Sequence, residues 1–210
     1  RTLESSVEAI ARTRPEALSA LIDAGPGDAL APAIALAARL GLAPVVPAIV
    51  KHLQSGDIAL RLVAIRALSE LGTPTAVTAI EGALADPERS VRQAALTALM
   101  ARGGSGGLMA RLEAMLFGAE GAERERSERR ALFEAYGALA GPAAIPRLRE
   151  IFEPRGLFRR RPAADVLASA LFSLARIATP EARLLVEQCV ADKDPVVRGA
   201  ANAVLRDWPV

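Results

Sequence analysis

Pro74 to Ala85 reads PTAVTAIEGALA, Asp86-Pro87 follows, and Glu88 to Arg102 reads ERSVRQAALTALMAR before Gly103-Gly104. In the first stretch Ala76, Val77, Ile80, Ala83 and Leu84 recur at helical spacing. In the second, Val91, Ala94, Ala95, Ala98 and Leu99 do the same. That spacing puts the apolar side chains on one face of a helix. Pro74 suits a first helical position, where its missing N–H costs nothing. Asp86-Pro87 interrupts the chain between the two stretches, and the glycine pair ends the second. The segment reads as two antiparallel helices, each with one apolar side to bury.

The pattern recurs along the chain. Prolines stand at 15, 44, 74, 142 and 180, and Gly106-Gly107 sits where the wide step between Pro74 and Pro142 lacks one. Laid over the whole sequence, the pattern gives units 15–41, 44–72, 74–103, 106–141, 142–178 and 180–207, each with two helices. Residues 1–12 read as an extra helix capping the N-terminal end. A unit of this size buries its apolar face only against its neighbours, so the units stack. The expected fold is all-α: a right-handed α-solenoid of about six antiparallel helix pairs, forming a single domain over 1–210. The first residue is Arg1 and not Met, which reads as a piece of a longer protein.

The 210 residues are 51% hydrophobic but only 3% aromatic, so the core is built of Ala and Leu. Such residues form helices well and let them approach closely. The formal charge is +2, and every basic residue but Lys51, Lys193 and His52 is an arginine. So even a balance argues against a nucleic-acid partner. No apolar run is long enough to span a bilayer. The one cysteine, Cys189, allows no internal disulfide, which fits a cytoplasmic setting.

The turn and second helix carry a family resemblance. Asp86-Pro-Glu-Arg-Ser-Val91-Arg92-Gln-Ala94-Ala95 aligns without gaps to Asp192-Lys-Asp-Pro-Val-Val197-Arg198-Gly-Ala200-Ala201. Looser copies start at Asp57, with Arg61, and at Glu125, with Arg129. Both close copies resemble the D-x-x-x-x-V-R-x-A-A signature of HEAT repeats, particularly the short bacterial type first noticed in phycobilin lyases. The resemblance implies a protein-interaction scaffold whose second helices line a concave, partner-holding side. It also implies that the Asp and Arg bond across the turn and between neighbouring units, a role for Asp86 with Arg92 and Asp192 with Arg198. Arg61, Arg92, Arg129 and Arg198 then form a structural ladder, broken at Leu30 and Leu167.

Several segments stand out from the repeat. Glu153 to Pro162 lies where other units have a short turn, and Arg155, Arg159, Arg160 and Arg161 surround Leu157 and Phe158 there. A long loop on a rigid scaffold suits docking, with Phe158 as anchor and the arginines gripping carboxylate or phosphate. A solvated loop tucked onto the adjacent helix is the plain alternative. The charged run Glu120–Arg130 reads first as an exposed helix start whose opposite charges pair at three- and four-residue spacing, but Arg126 and Arg130 in it fall on the second-helix face expected to meet a partner. The helix after Asp57 is more apolar than one buried face requires, with Ile58, Leu62 and Ile65 in addition to Leu60, Val63, Ala64 and Leu68. Cover by neighbouring units or an adjacent domain is the simpler account. Gly103–Gly107 lacks the Lys and Ser/Thr of a phosphate loop and reads as a joint between units.

Catalysis finds little support. His52 reads as a helix C-terminal cap, and Cys189 lies on the apolar stretch Leu184–Val190, as a core thiol does. One His and one Cys leave no His/Cys metal site, and the His-Glu pairs of HEAT-like deoxyhypusine hydroxylases are missing. No catalytic residue, cofactor or metal is assigned. The expected function is non-catalytic binding of a partner protein, or of an adjacent domain of the same protein. Two alternatives stand beside it: nucleic-acid binding, as in HEAT-like alkylpurine DNA glycosylases, and a phycobilin-lyase-like enzyme subunit. The sequence does not address oligomeric state.

Overall fold

The structure, a computed structural model, describes residues 9, 11–104, 106–118, 124–153 and 161–209. Of the expected N-terminal cap, residues 9 and 11–13 are helical, and the rest lies outside the described residues. The chain divides into two compact units, 1–107 and 108–210, with the boundary at the end of the glycine-rich run. Among the described residues every regular element is helical.

The first unit holds α1 (Pro15–Ala24), α2 (Gly27–Arg39), α3 (Val46–Lys51), α4 (Ile58–Leu71), α5 (Pro74–Gly82) and α6 (Arg89–Ala101). They form two layers. The first helices of each pair, α1, α3 and α5, lie side by side, and so do the second helices α2, α4 and α6. The apolar faces meet between the layers, where Ile22, Ile34, Ile49, Leu68, Ile80 and Leu99 are fully or almost fully buried. Each such side chain contributes about 1.5–3 kcal/mol by leaving water.

Local chemistry sets the helix ends. The Thr73 hydroxyl accepts from the Ala76 N–H at 3.2 Å, with Pro74 as the first helical residue. Asp57 caps α4 in the same way through the Ala59 N–H at 2.8 Å. The α3 and α5 helices tighten into 3-10 turns, His52–Gln54 and Ala83–Ala85, before the chain reverses. Gly72 ends α4 in the left-handed region, at φ 62°. Arg102, from the next pair, fills the space beside it and donates to the carbonyls of Ser69 (2.9 Å) and Gly72 (3.2 Å). The last turn of one second helix is thus capped by the next.

The second unit, from Leu108, holds most of α7 (Gly106–Phe117) and then α8 (Arg126–Ala140), α9 (Ile145–Phe152), α10 (Ala164–Ile177), α11 (Pro180–Gln188) and α12 (Pro195–Arg206). Here too the second helices α8, α10 and α12 pack in sequence. Phe117 meets Phe133 and Tyr136 edge-on, at ring-centroid distances of 6.1 and 5.5 Å. This concentrates part of the small aromatic content at the α7–α8 contact. Ala178, at φ 55°, stands before Thr179-Pro180 as Gly72 stands before Thr73-Pro74. An alanine held there costs about 1 kcal/mol more than a glycine.

The arginine ladder is real in part and differs in detail from the sequence expectation. Arg92 Nη1 donates to the backbone carbonyls of Asp86 (2.8 Å) and Pro87 (2.9 Å), and Arg198 Nη1 to those of Asp192 (2.7 Å) and Lys193 (3.0 Å). Both arginines therefore bind the peptide backbone of their own turn. The Asp86 carboxylate is taken by Arg61 of the preceding pair, whose Nη2 donates to Oδ1 at 3.1 Å while Nη1 donates to the Ser55 carbonyl at 2.7 Å. Arg61 Nε lies 3.0 Å from Asp86 Oδ2, close enough for ion pairing but poorly aligned for a hydrogen bond. Arg129 repeats the scheme, bonding the Arg124 carbonyl at 2.6 Å and the Asp165 carboxylate.

Leu167, where the ladder breaks, is buried in the core, and Arg161 takes over its electrostatic role. The Arg161 guanidinium pairs with the Asp192 carboxylate. The structure therefore gives Arg161 a place inside the stack, where its neighbours in sequence suggest docking. Arg155, Leu157, Phe158, Arg159 and Arg160 lie outside the described residues.

These pairs predict a pH dependence. Partial burial pushes the Asp165 carboxyl up, but the hydrogen bond and charge of Arg129 prevail and hold it below the usual carboxylate range. Asp192 is likewise lowered, burial being outweighed by the Asp194 N–H and Arg161. Both groups are charged in folded and unfolded chains at neutral pH, so their contribution is then complete. Below about pH 4 the unfolded chain binds protons first and that contribution is lost. Thermal melts between pH 7 and 3 should show it, with Asp165→Asn flattening the acid limb; an identical limb in the variant would contradict the assignment.

Candidate functional site

The second helices of the first unit leave a groove of about 720 Å³ between α4 and α6. Leu62 and Val63 of α4 and Ala94, Ala98 and Ala101 of α6 give it apolar surface; Arg66, Glu70, Gln93 and Thr97 give it polar groups. The helical repeat explains the placement. Residues 94 and 98, and 62 and 66, are four apart, so each pair shares one stripe. The apolar excess of α4 is thus not fully covered: Ile65 is buried, but Leu62 is only half-buried and Ile58 is exposed.

In the second unit the matching helices carry charge. Arg126, Arg130 and Glu134 recur at four-residue spacing along α8, facing Phe172 and Arg176 of α10. The Arg130 guanidinium lies 3.5 Å from the centroid of the Phe172 ring, and its Nε donates to Glu134 Oε1 at 2.7 Å. Arg176 Nη2 donates to the other oxygen of the same carboxylate at 3.1 Å. Arg126 is exposed. The pattern marks Arg126 and Arg130, as their spacing predicts. It does not mark Phe172, Glu134 and Arg176, whose contacts cross between helices distant in sequence.

The groups with the strongest reaction chemistry are committed elsewhere. His52 Nε2 lies 2.7 Å from the Ile22 carbonyl; a carbonyl only accepts, so the ring donates. The carbonyl it caps belongs to α1, not to its own helix. Burial pushes the Cys189 thiol up to about 11, with Asp192 adding to the rise. It is a neutral core group at physiological pH. Burial and the Glu113 charge push Tyr136 up to about 12, and its hydroxyl donates to Glu113 Oε1 at 3.2 Å. Among the described residues no three His, Cys, Asp or Glu gather in a way that could hold a metal. No helix among them is long and apolar enough to cross a membrane.

Repeated helix pairs, the layered second helices and the shared turn chemistry agree with a comparison of sequences. The family model for HEAT repeats matches residues 14–100. No curated protein matches the chain. Among solved structures, this chain is similar to the complex of CpcE and CpcF of phycocyanin lyase from Nostoc sp. PCC7120, at 23% identity and a TM-score of 0.52, covering 91% of this chain and 75% of that one. A designed armadillo repeat protein is similar at 14% identity and a TM-score of 0.46, covering 91% and 98% of the two chains. Human deoxyhypusine hydroxylase in complex with glycerol is similar at 18% identity and a TM-score of 0.35, covering 90% and 82%. The first of these likenesses shows that the helical-repeat solenoid fold extends beyond the matched repeats.

Proposed function

We propose that this chain is a non-catalytic interaction scaffold that holds a partner protein, or an adjacent domain of its own protein, against its second-helix faces. The groove between α4 and α6 carries this reading. It combines apolar surface from Leu62, Ala94 and Ala98 with hydrogen-bonding groups from Arg66, Glu70 and Gln93, the mixture that protein interfaces use. HEAT-type stacks put such faces on a rigid support, because each pair is held by its neighbours.

Ala98→Glu places a charge in the groove from a half-buried position, outside the packed seam. With the melting temperature unchanged, the variant should recover the partners of the wild-type bait at least about tenfold less well in affinity capture. Equal recovery by both baits would overturn the reading. A second reading, a phycobilin-lyase-like subunit, is supported by the likeness in fold to the CpcE–CpcF complex. Failure to take up bilin on mixing would remove it.

A further inference from the structure

We propose that the α8–α10 face of the second unit is a receptor for an acidic protein segment, with Arg130 and Arg176 as its carboxylate-binding pair and Arg126 as a flanking contact. This deepens the scaffold reading and rests on it.

Three arginines share this face with one carboxylate, Glu134. Glu134 takes one N–H from each of Arg130 and Arg176, and the remaining N–H donors of both guanidiniums meet no acceptor among the described residues. The side chains stay 51% and 60% exposed, so those donors are open to a ligand. Yet they are not loose. The Arg130 guanidinium lies over the Phe172 ring, and both arginines are tethered to one carboxylate. An arginine ordered in advance loses less entropy when it grips a carboxylate through its planar fork.

Helix stability does not account for Arg126. It is the first residue of α8, where the helix macrodipole disfavours cations. Arg126 makes no hydrogen bond or ion pair among the described residues. The positive excess complements an outside anion. An acidic peptide suits it better than a nucleic acid. The Phe172 face is already covered by Arg130 and offers no platform for a base.

The test uses the whole chain and a labelled poly-glutamate peptide, with poly-glutamine and a single-stranded oligonucleotide as comparisons. Anisotropy should report binding of poly-glutamate that weakens with salt. Arg130→Gln with Arg176→Gln should weaken it about tenfold. Arg126→Glu, at an exposed side chain without a contact to lose and at a helix start that favours an anion, should weaken it without lowering the melting temperature. Unaltered peptide binding by these variants would overturn the proposal, as would an oligonucleotide that displaces the peptide. The outcome separates from that of the groove test. Capture lost with Ala98→Glu but intact with the arginine variants, together with unaltered peptide binding, leaves the scaffold reading standing and removes this one. Capture unchanged by either set removes the scaffold reading and this proposal with it.

Discussion

Replacing Arg61 with alanine should cost the first unit about 3–5 kcal/mol, the cost of opening a buried ion pair by removing one partner. Only 10% of the Arg61 side chain and 8% of the Asp86 side chain are exposed, so water does little to rescue the carboxylate left behind. The Ser55 carbonyl loses its donor in the same step. Arg61 belongs to one helix pair and Asp86 to the turn of the next, so the loss falls on the contact between repeats. In a stack, stability is a sum of unit terms and such neighbour terms. Arg61→Lys should recover only part of the loss, because an ammonium lacks the fork that reaches Ser55 and Asp86 together. Chemical denaturation measures the loss, and a cycle with Asp86→Ala measures the coupling. A single-variant cost under about 1 kcal/mol would show the pair to be no stronger than an exposed one.

The ladder marks where sequence reading succeeds and stops. Six helix pairs were legible because proline at a helix start, aspartate in a turn and apolar side chains at helical spacing are local signals, and six occur among the described residues. The face each residue takes was less legible where side chains are small. Ala94 and Ala98 fit the seam by spacing, yet they line the groove, while Leu96, outside that pattern, is buried. An alanine stripe serves equally well under a neighbour or beside an opening, and only the position of the adjacent helix decides. Pairings across helices left no local trace. Arg61 with Asp86, Arg161 with Asp192 and Arg176 with Glu134 depend on which turns the stack brings together. Arg161 shows the consequence: its sequence neighbours suggest a docking loop, but its charge completes a rung that Leu167 vacates.

The candidate faces follow from the same construction. Ladder contacts occupy the turns and apolar contacts occupy the space between layers, which leaves the outer stripes of the second helices without a structural duty. In the first unit that stripe carries small and apolar residues and opens as a groove. In the second it carries arginines tied to a single carboxylate. The two faces therefore differ in chemistry, one apolar and the other charged.

Gly137→Ala should destabilise the second unit, although alanine is the better helix former by about 1 kcal/mol. Gly137 lies within α8 where that helix crosses α10. A Cβ there would collide with the Ser173 carbonyl oxygen and lie 2.7 Å from its Oγ. Ser173 is fully buried, its hydroxyl has no hydrogen-bond partner among the described residues, and its carbonyl belongs to the backbone of α10, so the helix itself would have to move. Forcing the helices apart would also disturb the seam formed by Phe133, Tyr136 and Leu174. Overpacking of this kind costs about 1–3 kcal/mol beyond any gain in helix propensity. Gly199→Ala supplies the comparison, because Gly199 lies in α12 with open space around it and should gain up to about 1 kcal/mol. Thermal or urea unfolding of the two variants should therefore move in opposite directions. Stabilisation by both would mean that α8 and α10 can separate without penalty, and the close crossing would not be what holds this unit together.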